Sequence, residues 1–288
     1  APLETDLKSA AITTLLLSLD TGLQAIPLAA LHDGEQYFGV RYAYSLTPSL
    51  GLTALTPSSR TNEGQYLLAG SSRFNGLAPL PLVPQEVSQI GASVQSNTYL
   101  DSAFTPQVLL HAPEQESISR VHVATHAEFL PGGPQRARIY SGTDAVSLAQ
   151  FASVRQRRQS DPMDLFVLSA CRTAIGDKDS ELGFAGLALQ AGSRSAIGSL
   201  WYVDDVATSA FFIQFYSFLR QGLPKAEALQ ATRKAFASGA VSLQGDRILG
   251  VDSQTLLSQL TPAQQRRVAS GMTNPYYWAG IQMLGSPW

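Results

Sequence analysis

The chain has 288 residues, enough to bury a large hydrophobic core as one α/β domain or as two smaller ones. Hydrophobic residues make up 44% of it and charged residues 15%, a composition typical of a compact globular protein with little disorder. The net charge of −2 gives no indication of nucleic-acid binding, and no apolar run approaches the roughly 18 residues that a membrane-spanning helix needs. We therefore expect neither nucleic acid nor a membrane as a partner.

The only cysteine is Cys171, which excludes an internal disulfide and any metal site built from several cysteines. A lone thiol fits a reducing compartment, so we expect a cytoplasmic protein. The chain starts at Ala1, with neither methionine nor a signal peptide. This start predicts a C-terminal fragment of a longer protein, with a partner region on its N-terminal side.

Short apolar runs bounded by turn residues predict strands in the first part of the chain. The predicted strands are Ile12–Asp20, Tyr37–Leu46 and Tyr66–Ala69. The predicted helices are a short one within 21–31, one that begins near Ser49, and two that cover about Gln85–Ser93 and Gln107–Ala112.

Strands and helices alternate more regularly from residue 118 onward. The predicted strands are Ile118–Thr125, Leu165–Ala170, Arg194–Leu200 and Tyr276–Leu284. The predicted helices are Gly183–Ala191, Val206–Leu219 and Lys225–Ser238, and the polar stretch 240–275 is interpreted as an insertion that carries a helix. The alternation predicts an α/β fold with a mostly parallel sheet and helices on both faces.

Two of the predicted strands end on residues that can perform catalysis. The run VHVATH (121–126) ends on His126, and the run DLFVLSAC (164–171) ends on Cys171. The carboxyl ends of parallel strands meet at one rim of a sheet, and a thiolate nucleophile needs an imidazole within hydrogen-bond reach. Each residue alone is compatible with a structural role, Cys171 as a small buried apolar residue and His126 in a loop. Their matching positions favour a cysteine–histidine dyad.

An ordered set of sequence blocks resembles the CHAT family (caspase HetF-associated with TPRs), which belongs with caspases, metacaspases and separases. The blocks are LQAIPLAALHDG (23–34), PLPLVPQEVSQI (79–90), VHVATHAEF (121–129), DLFVLSACRTAIGD (164–177), ELGFAGLALQAGSRSAIGSLWYVDD (181–205), FYSFLRQGLPKAEAL (215–229) and NPYYWAG (274–280). They cover nearly the whole chain and look most similar to the cyanobacterial, HetF-like branch.

The resemblance implies a caspase-like three-layer sandwich that forms one domain over residues 1–288. It also implies a cysteine endopeptidase, without a cofactor, that cleaves protein or peptide substrates with His126 and Cys171, and a helical TPR region elsewhere in the protein. The backbone N–H groups of Cys171 and Ala127 would bind the oxyanion. Caspase-type proteases usually have glycine after the catalytic histidine, and Ala127 departs from that pattern.

The loop after the strand 194–200 has two interpretations. By the resemblance it lines the primary specificity pocket, with Trp201 and Tyr202 as walls and Asp204 or Asp205 selecting arginine or lysine. From the sequence itself, one of the two aspartates caps the helix that starts at Val206. An uncharged pocket lined by Trp201 is the third option.

Other polar residues have simpler interpretations. His122 shares a strand face with His126 and is expected to be a hydrogen-bonded core histidine, so we predict no metal site. Glu128 could orient the imidazole or be solvated. The run Arg155, Arg157 and Arg158 is either a solvated face or a self-cleavage site.

Two other functions fit the same sequence. One is a non-catalytic signalling or peptide-binding module that keeps the fold, and the other is a thiol-dependent acyltransferase or small-substrate hydrolase. Both dyad residues are present, which favours the peptidase.

Overall fold

The computed structural model describes residues 3–20, 23, 26–47, 51, 53–56, 64–115, 117–128, 137–154, 162–170, 189, 191–201 and 204–288. The predicted helix start at Ser49 and the basic run 155–158 lie outside these residues, as does the predicted helix Gly183–Ala191 apart from residues 189 and 191.

Strands form one large sheet and two small ones. In chain order they are β1 (Thr14–Leu17), β2 (Ala43–Leu46), β3 (Gln65–Gly70), β4 (Ser96–Leu100), β5 (Ile118–Ala124), β6 (Ala127–Glu128), β7 (Arg138–Tyr140), β8 (Ala145–Ser147), β9 (Leu165–Ser169), β10 (Ser195–Ser199), β11 (Ser242–Gln244), β12 (Arg247–Leu249), β13 (Thr255–Leu257) and β14 (Ile281–Gly285). The large sheet has the order β1-β2-β14-β10-β9-β5-β3-β4. Neighbouring strands of this sheet are parallel, except that β14 and β10 pair antiparallel. This arrangement confirms the predicted mostly parallel sheet.

The α-helices of the described residues are α1 (Glu4–Ser9), α2 (Phe38–Arg41), α3 (Val83–Gly91), α4 (Pro106–His111), α5 (Leu148–Ala152), α6 (Asp205–Arg220), α7 (Lys225–Ala237) and α8 (Pro262–Val268). Short 3₁₀ turns cover Leu28–Ala30, Asp101–Ala103, Ala112–Glu114, Val251–Ser253 and Pro275–Tyr277. Within the described residues, none of the helices has the length and apolar character needed to cross a bilayer.

Helices pack on both faces of the large sheet, as predicted. His122 of β5 is level with Val167 of β9, and its ring lies 5.6 Å from that of Phe212 in α6. The neighbouring Phe166 points to the other face because side chains alternate along a strand. There its ring lies 5.0 Å from that of Phe151 in α5. The core is therefore divided by the sheet into two layers.

The prediction of a strand over Tyr37–Leu46 is wrong for its first half, which forms the helical turn α2. Gly39 packs so closely there that an added Cβ atom would lie 2.5 Å from the Cβ of Ala29. Arg41, the last residue of the turn, pairs with Asp33 at 2.8 Å. Tertiary contacts of these residues therefore override the apolar alternation that predicted a strand.

The last predicted strand, Tyr276–Leu284, is also shorter than expected, because β14 forms only its second half. Pro275 begins a 3₁₀ turn, and the Asn274 side chain accepts the Tyr276 N–H at 2.9 Å. The edge strand β4 was not predicted, since three of its five residues are polar and its side chains are half-exposed or exposed.

The predicted insertion at 240–275 carries the small sheet β11–β12–β13 and the helix α8. It attaches to α3 through two hydrogen bonds of the Gln85 side chain, which donates to the Ser258 carbonyl at 2.9 Å and accepts the Ser258 N–H at 3.1 Å. It also attaches to α6, where Gln214 accepts the Val251 N–H at 3.0 Å. The insertion is thus packed against the two helices that flank the carboxyl ends of the central strands.

A buried ionic network joins the amino ends of β5 and β9 to α7. The Asp164 carboxylate accepts hydrogen bonds from Arg120 Nε at 3.1 Å and from Lys225 Nζ at 2.7 Å. All three side chains are less than 10% exposed. Burial lowers the pKa of Lys225 to about 8, although Asp164 opposes that shift. Asp164 is therefore the carboxylate that both buried cations contact.

We expect Asp164→Ala to lower the free energy of unfolding by about 3–5 kcal/mol, because it removes the carboxylate that both buried cations contact. Urea unfolding followed by circular dichroism measures this change. Asp246→Ala is the matched control: its carboxylate pairs with Arg247 at 3.9 Å and both side chains are more than half exposed. The control substitution should lower the free energy of unfolding by less than about 0.5 kcal/mol. Equal effects of the two variants would contradict the assigned role of the network.

Candidate active site

His126 lies at the carboxyl end of β5, beside the carboxyl end of β9. The two strands are parallel, with Ala124 level with Ser169. The Thr125 N–H donates to the Ser169 carbonyl at 3.2 Å, which extends the pairing by one residue. Cys171 follows two residues after Ser169 in sequence and lies outside the described residues, as does Tyr202.

The imidazole of His126 is held at one nitrogen by a backbone carbonyl. Its Nε2 lies 2.8 Å from the carbonyl oxygen of Ala78, and the ring of Phe74 packs against it with the centroids 4.6 Å apart. A carbonyl oxygen only accepts, so Nε2 carries the proton and donates. In the neutral ring, Nδ1 is then the basic nitrogen, available for a reacting group.

The loop that carries Ala78 is tied to the strand ends. After β3, the Ser71 N–H donates to the Ala124 carbonyl at 3.0 Å. The Ser72 backbone and hydroxyl both donate to one Asp101 carboxylate oxygen, at 2.7 and 2.8 Å. The role of Ala78 could not be predicted from the sequence, because a backbone carbonyl has no residue signature. The available signal was Pro79, since a proline favours an extended conformation in the residue before it.

Ala127 opens the hairpin β6–β7 with its N–H turned away from β7. The Tyr140 N–H donates to the His126 carbonyl at 3.0 Å, which makes the facing pair Ala127 and Ile139 a non-hydrogen-bonded pair of the ladder. The φ angle of Ala127 lies outside the left-handed region. Alanine is therefore compatible with the backbone conformation here, and glycine is not required for it.

Glu128 does not bind the imidazole nitrogen that Ala78 holds. Its carboxylate accepts a hydrogen bond from the Tyr140 hydroxyl at 2.7 Å. Burial and this bond raise the pKa of Tyr140 above its ordinary value. Glu128 thus stabilises the hairpin. The Ala78 carbonyl, and not Glu128, orients the imidazole of His126.

His122 is a buried core histidine, as predicted. Its Nε2 lies 2.9 Å from one oxygen of Glu86, and the other oxygen accepts the Ser209 hydroxyl at 2.7 Å. The rings of Phe212 and Tyr216 pack edge-on against the imidazole. Among the described residues, no group of three or more histidine, cysteine, aspartate or glutamate side chains could hold a metal ion.

A pocket lies under the strand ends, between the sheet and the helices α3 and α6. Its accessible volume is about 30 Å³, room for about two water molecules. Its lining residues are Leu80, Leu82, Val83, Glu86, Thr125, Ser169, Ala170, Ser199, Asp205, Thr208, Ser209, Phe212 and Ile281. Because Thr125 and Ala170 directly precede the two predicted dyad residues, the pocket lies beside the positions where a dyad would act.

Trp201, expected to form a wall of the specificity pocket, is not among these lining residues. Its Nε1 donates to the Tyr276 carbonyl at 2.9 Å. Its ring covers Gly280 so closely that an added Cβ atom would lie 2.6 Å from it. The described structure therefore gives Trp201 a packing role at the end of the sheet.

Asp204 and Asp205 cap α6 and bind one arginine. The Val206 N–H donates to Asp204 at 2.9 Å and to Asp205 at 3.1 Å. Arg267 of α8 reaches both carboxylates, with its Nε 2.9 Å from Asp204. Burial raises the pKa of Asp205, Arg267 opposes that shift, and Asp204 adds to it. The capping interpretation is confirmed, and Asp205 also lines the pocket.

Comparisons with known proteins agree on the fold. Residues 1–286 match the CHAT domain. A chain in the crystal structure of the Saccharomyces cerevisiae separase-securin complex aligns with a TM-score of 0.58 and 14% identity, over 95% of this chain and 15% of that one. The Arg specific cysteine proteinase gingipain R aligns with a TM-score of 0.54 and 14% identity, over 99% of this chain and 66% of that one. A chain in the complex of the Porphyromonas gingivalis RgpB pro- and mature domains aligns with a TM-score of 0.51 and 13% identity, over 99% of this chain and 66% of that one.

No curated protein matches the chain in sequence. The chain spans only a small part of the length of the separase chain to which it is similar. At these identities the structural likeness concerns the fold, which is caspase-like with a mostly parallel central sheet. The predicted fold class is thereby confirmed.

The cap and the charge of Asp204 can be separated by two substitutions. We expect Asp204→Ala to destabilise the protein by about 1–2 kcal/mol, because it removes the N-cap of α6 and one partner of Arg267. Asp204→Asn keeps a capping oxygen and should cost about half as much. Urea unfolding of both variants measures the difference. Equal losses would mean that the ion pair, and not the cap, is the important contact.

Proposed function

We propose that this chain, which belongs to the CHAT domain family, is a cysteine endopeptidase with Cys171 as the nucleophile and His126 as the general acid and base. The observation that carries the proposal is the position of His126, at the end of β5 with its Nε2 bound to the Ala78 carbonyl. Because Nε2 is bound there, the basic nitrogen Nδ1 is the one that would exchange protons with a reacting group.

The register of β5 and β9 supports the pairing of the two residues. Ala124 is level with Ser169, and residues that face each other in this register are separated by 45 positions in sequence. The same separation connects His126 with Cys171. Neighbouring strands lie about 4.8 Å apart, so a continuation of the register would bring the thiol within reach of the imidazole.

The proposed reaction has two steps. In the first, the Cys171 thiolate attacks the scissile carbonyl, the amine leaves with a proton from His126, and an acyl-enzyme forms. In the second, His126 takes a proton from water, the hydroxide attacks the thioester, and the thiolate leaves. The Ala78 carbonyl keeps the proton on Nε2 throughout, so Nδ1 performs both transfers.

The backbone N–H groups of Ala127 and Cys171 are the proposed oxyanion donors. The N–H of Ala127 points out of the β6–β7 ladder, which supports this role. The side chain that precedes the scissile bond would enter the pocket beside Thr125 and Ala170, since these residues adjoin the dyad in sequence. The substrate class is therefore a protein or peptide chain.

The finer assignments rest on the sequence blocks alone. They are the HetF-like branch, a single domain over residues 1–288, and a TPR region elsewhere in the protein that regulates the peptidase.

We expect Cys171→Ala and His126→Ala to abolish cleavage of a proteome-derived peptide library, read by mass spectrometry. His111→Ala is the matched control, because His111 is an exposed histidine that pairs with Glu114 at the end of α4. It should cleave as the unsubstituted chain does. Cleavage that persists in Cys171→Ala would sink the proposal.

Thiol reactivity separates a latent peptidase from a binding module that only keeps the fold. Iodoacetamide should alkylate Cys171 at pH 6 faster in the intact chain than in His126→Ala, by about tenfold or more, because the imidazole stabilises the thiolate. Equal alkylation rates, together with the absence of cleavage, would favour the binding module.

Replacing Ala127 by glycine tests whether the departure from the family pattern matters. We expect Ala127→Gly to change kcat by less than about threefold, because the backbone already adopts its conformation with alanine. Loss of an oxyanion donor would instead lower the rate by about 10²–10³. A gain of tenfold or more in kcat would show that alanine impairs the oxyanion site.

A further inference from the structure

We propose that Arg267 determines the specificity of the pocket by neutralising Asp204 and Asp205, so that the intact chain accepts an uncharged side chain there. The substrate class in this inference rests on the proposed peptidase function, but the charge of the pocket can be measured without catalysis.

Arg267 has two anionic partners, and one of them, Asp205, lines the pocket. Its Nε lies 2.9 Å from an oxygen of Asp204, and its Nη2 contacts an oxygen of Asp205. The two carboxylates are 14% and 13% exposed, whereas the Arg267 side chain is 47% exposed. The guanidinium is therefore more exposed than the carboxylates it binds, and it contacts Asp205 without itself lining the pocket.

The positive end of α6 completes the neutralisation. Both carboxylates accept the Val206 N–H at the first turn of this 16-residue helix. A helix N-terminus carries about half a positive charge, which acts on the same two carboxylates as the guanidinium. The positive charges of one guanidinium and one helix N-terminus thus balance most of the negative charge of the two carboxylates. Little net negative charge remains to attract a cationic ligand.

The other carboxylate that lines the pocket, Glu86, already accepts hydrogen bonds at both oxygens. Glu86 is 2% exposed, and its two oxygens bind the His122 Nε2 and the Ser209 hydroxyl. The remaining lining is apolar or bears hydroxyl groups. An uncharged side chain therefore fits this pocket better than arginine or lysine does, in contrast to the basic specificity that the aspartates alone would predict.

Removing Arg267 should reverse this preference. Asp204 and Asp205 would then be open to a guanidinium supplied by the ligand, which can form the same charge-assisted hydrogen bonds. A purely structural role of Arg267, as an anchor of α8 on α6, predicts a loss of stability but no change in which ligand charge the pocket accepts.

The first test is binding of agmatine, which carries the guanidinium of an arginine side chain, to Cys171→Ala chains by calorimetry. We expect agmatine to bind Arg267→Ala at least about tenfold more tightly than the chain that retains Arg267. Arg266→Ala is the matched control, because Arg266 is the exposed neighbour on the same helix. It should behave like the chain with both arginines.

A double variant identifies the site of the new binding. Asp205→Asn combined with Arg267→Ala should lose the affinity gained by Arg267→Ala. If Arg267→Ala does not fold, as judged by circular dichroism, Arg267→Gln replaces it. Tight agmatine binding to the chain that retains Arg267, or equal binding to all variants, would overturn the proposal.

The second test uses the active chain and a peptide library. The ratio of cuts after arginine or lysine to cuts after leucine should rise about tenfold in Arg267→Ala and stay unchanged in Arg266→Ala. An unchanged ratio in both would also overturn the inference. If no variant cleaves in a thiol-dependent manner, alkylation of Cys171 decides between a latent peptidase and a binding module, and agmatine binding decides the role of Arg267.

Discussion

The parallel register of β5 and β9 is the constraint on which the candidate site depends. A shift of one residue between these strands would reverse the faces of all side chains on one of them. The Asp164 network fixes the amino ends, where the strands meet α7. At the carboxyl ends, the Thr125 N–H binds the Ser169 carbonyl. Because both ends are fixed, the position of His126 relative to the end of β9 is set by the sheet and not by a loop.

The imidazole is oriented by the main chain. Its partner is the Ala78 carbonyl, and no replacement of the Ala78 side chain removes that oxygen. The loop between β3 and α3 holds the carbonyl in place through Ser71, Ser72 and Asp101. The orientation of the imidazole is therefore encoded in the length and anchoring of this loop, whereas the position of His126 is encoded in the sheet.

The strand ends could be predicted from sequence, because an apolar run that stops at a polar residue has a local signature. The cap at Asp204 was predictable for the same reason. Arg267 was not, since it comes from an insertion and reaches the aspartates only through the packing of α8. The role of Ala78 was not predictable either, because this residue contributes a backbone oxygen. The turn α2 was mistaken for a strand because the close contact of Gly39 with Ala29 is long-range in origin.

The place of β14 in the sheet has a consequence for the order of assembly. This strand is the last in the chain, yet it lies between β2 and β10, with Leu284 level with Leu46 and antiparallel pairing to β10. The Ser45 hydroxyl donates to the Gly285 carbonyl at 2.7 Å. During synthesis, β1 and β2 therefore have no place in the large sheet until the C-terminal strand has left the ribosome. The N-terminal strands therefore depend on a partner that is synthesised after every other strand of the large sheet, and the sheet closes only once β14 has been made.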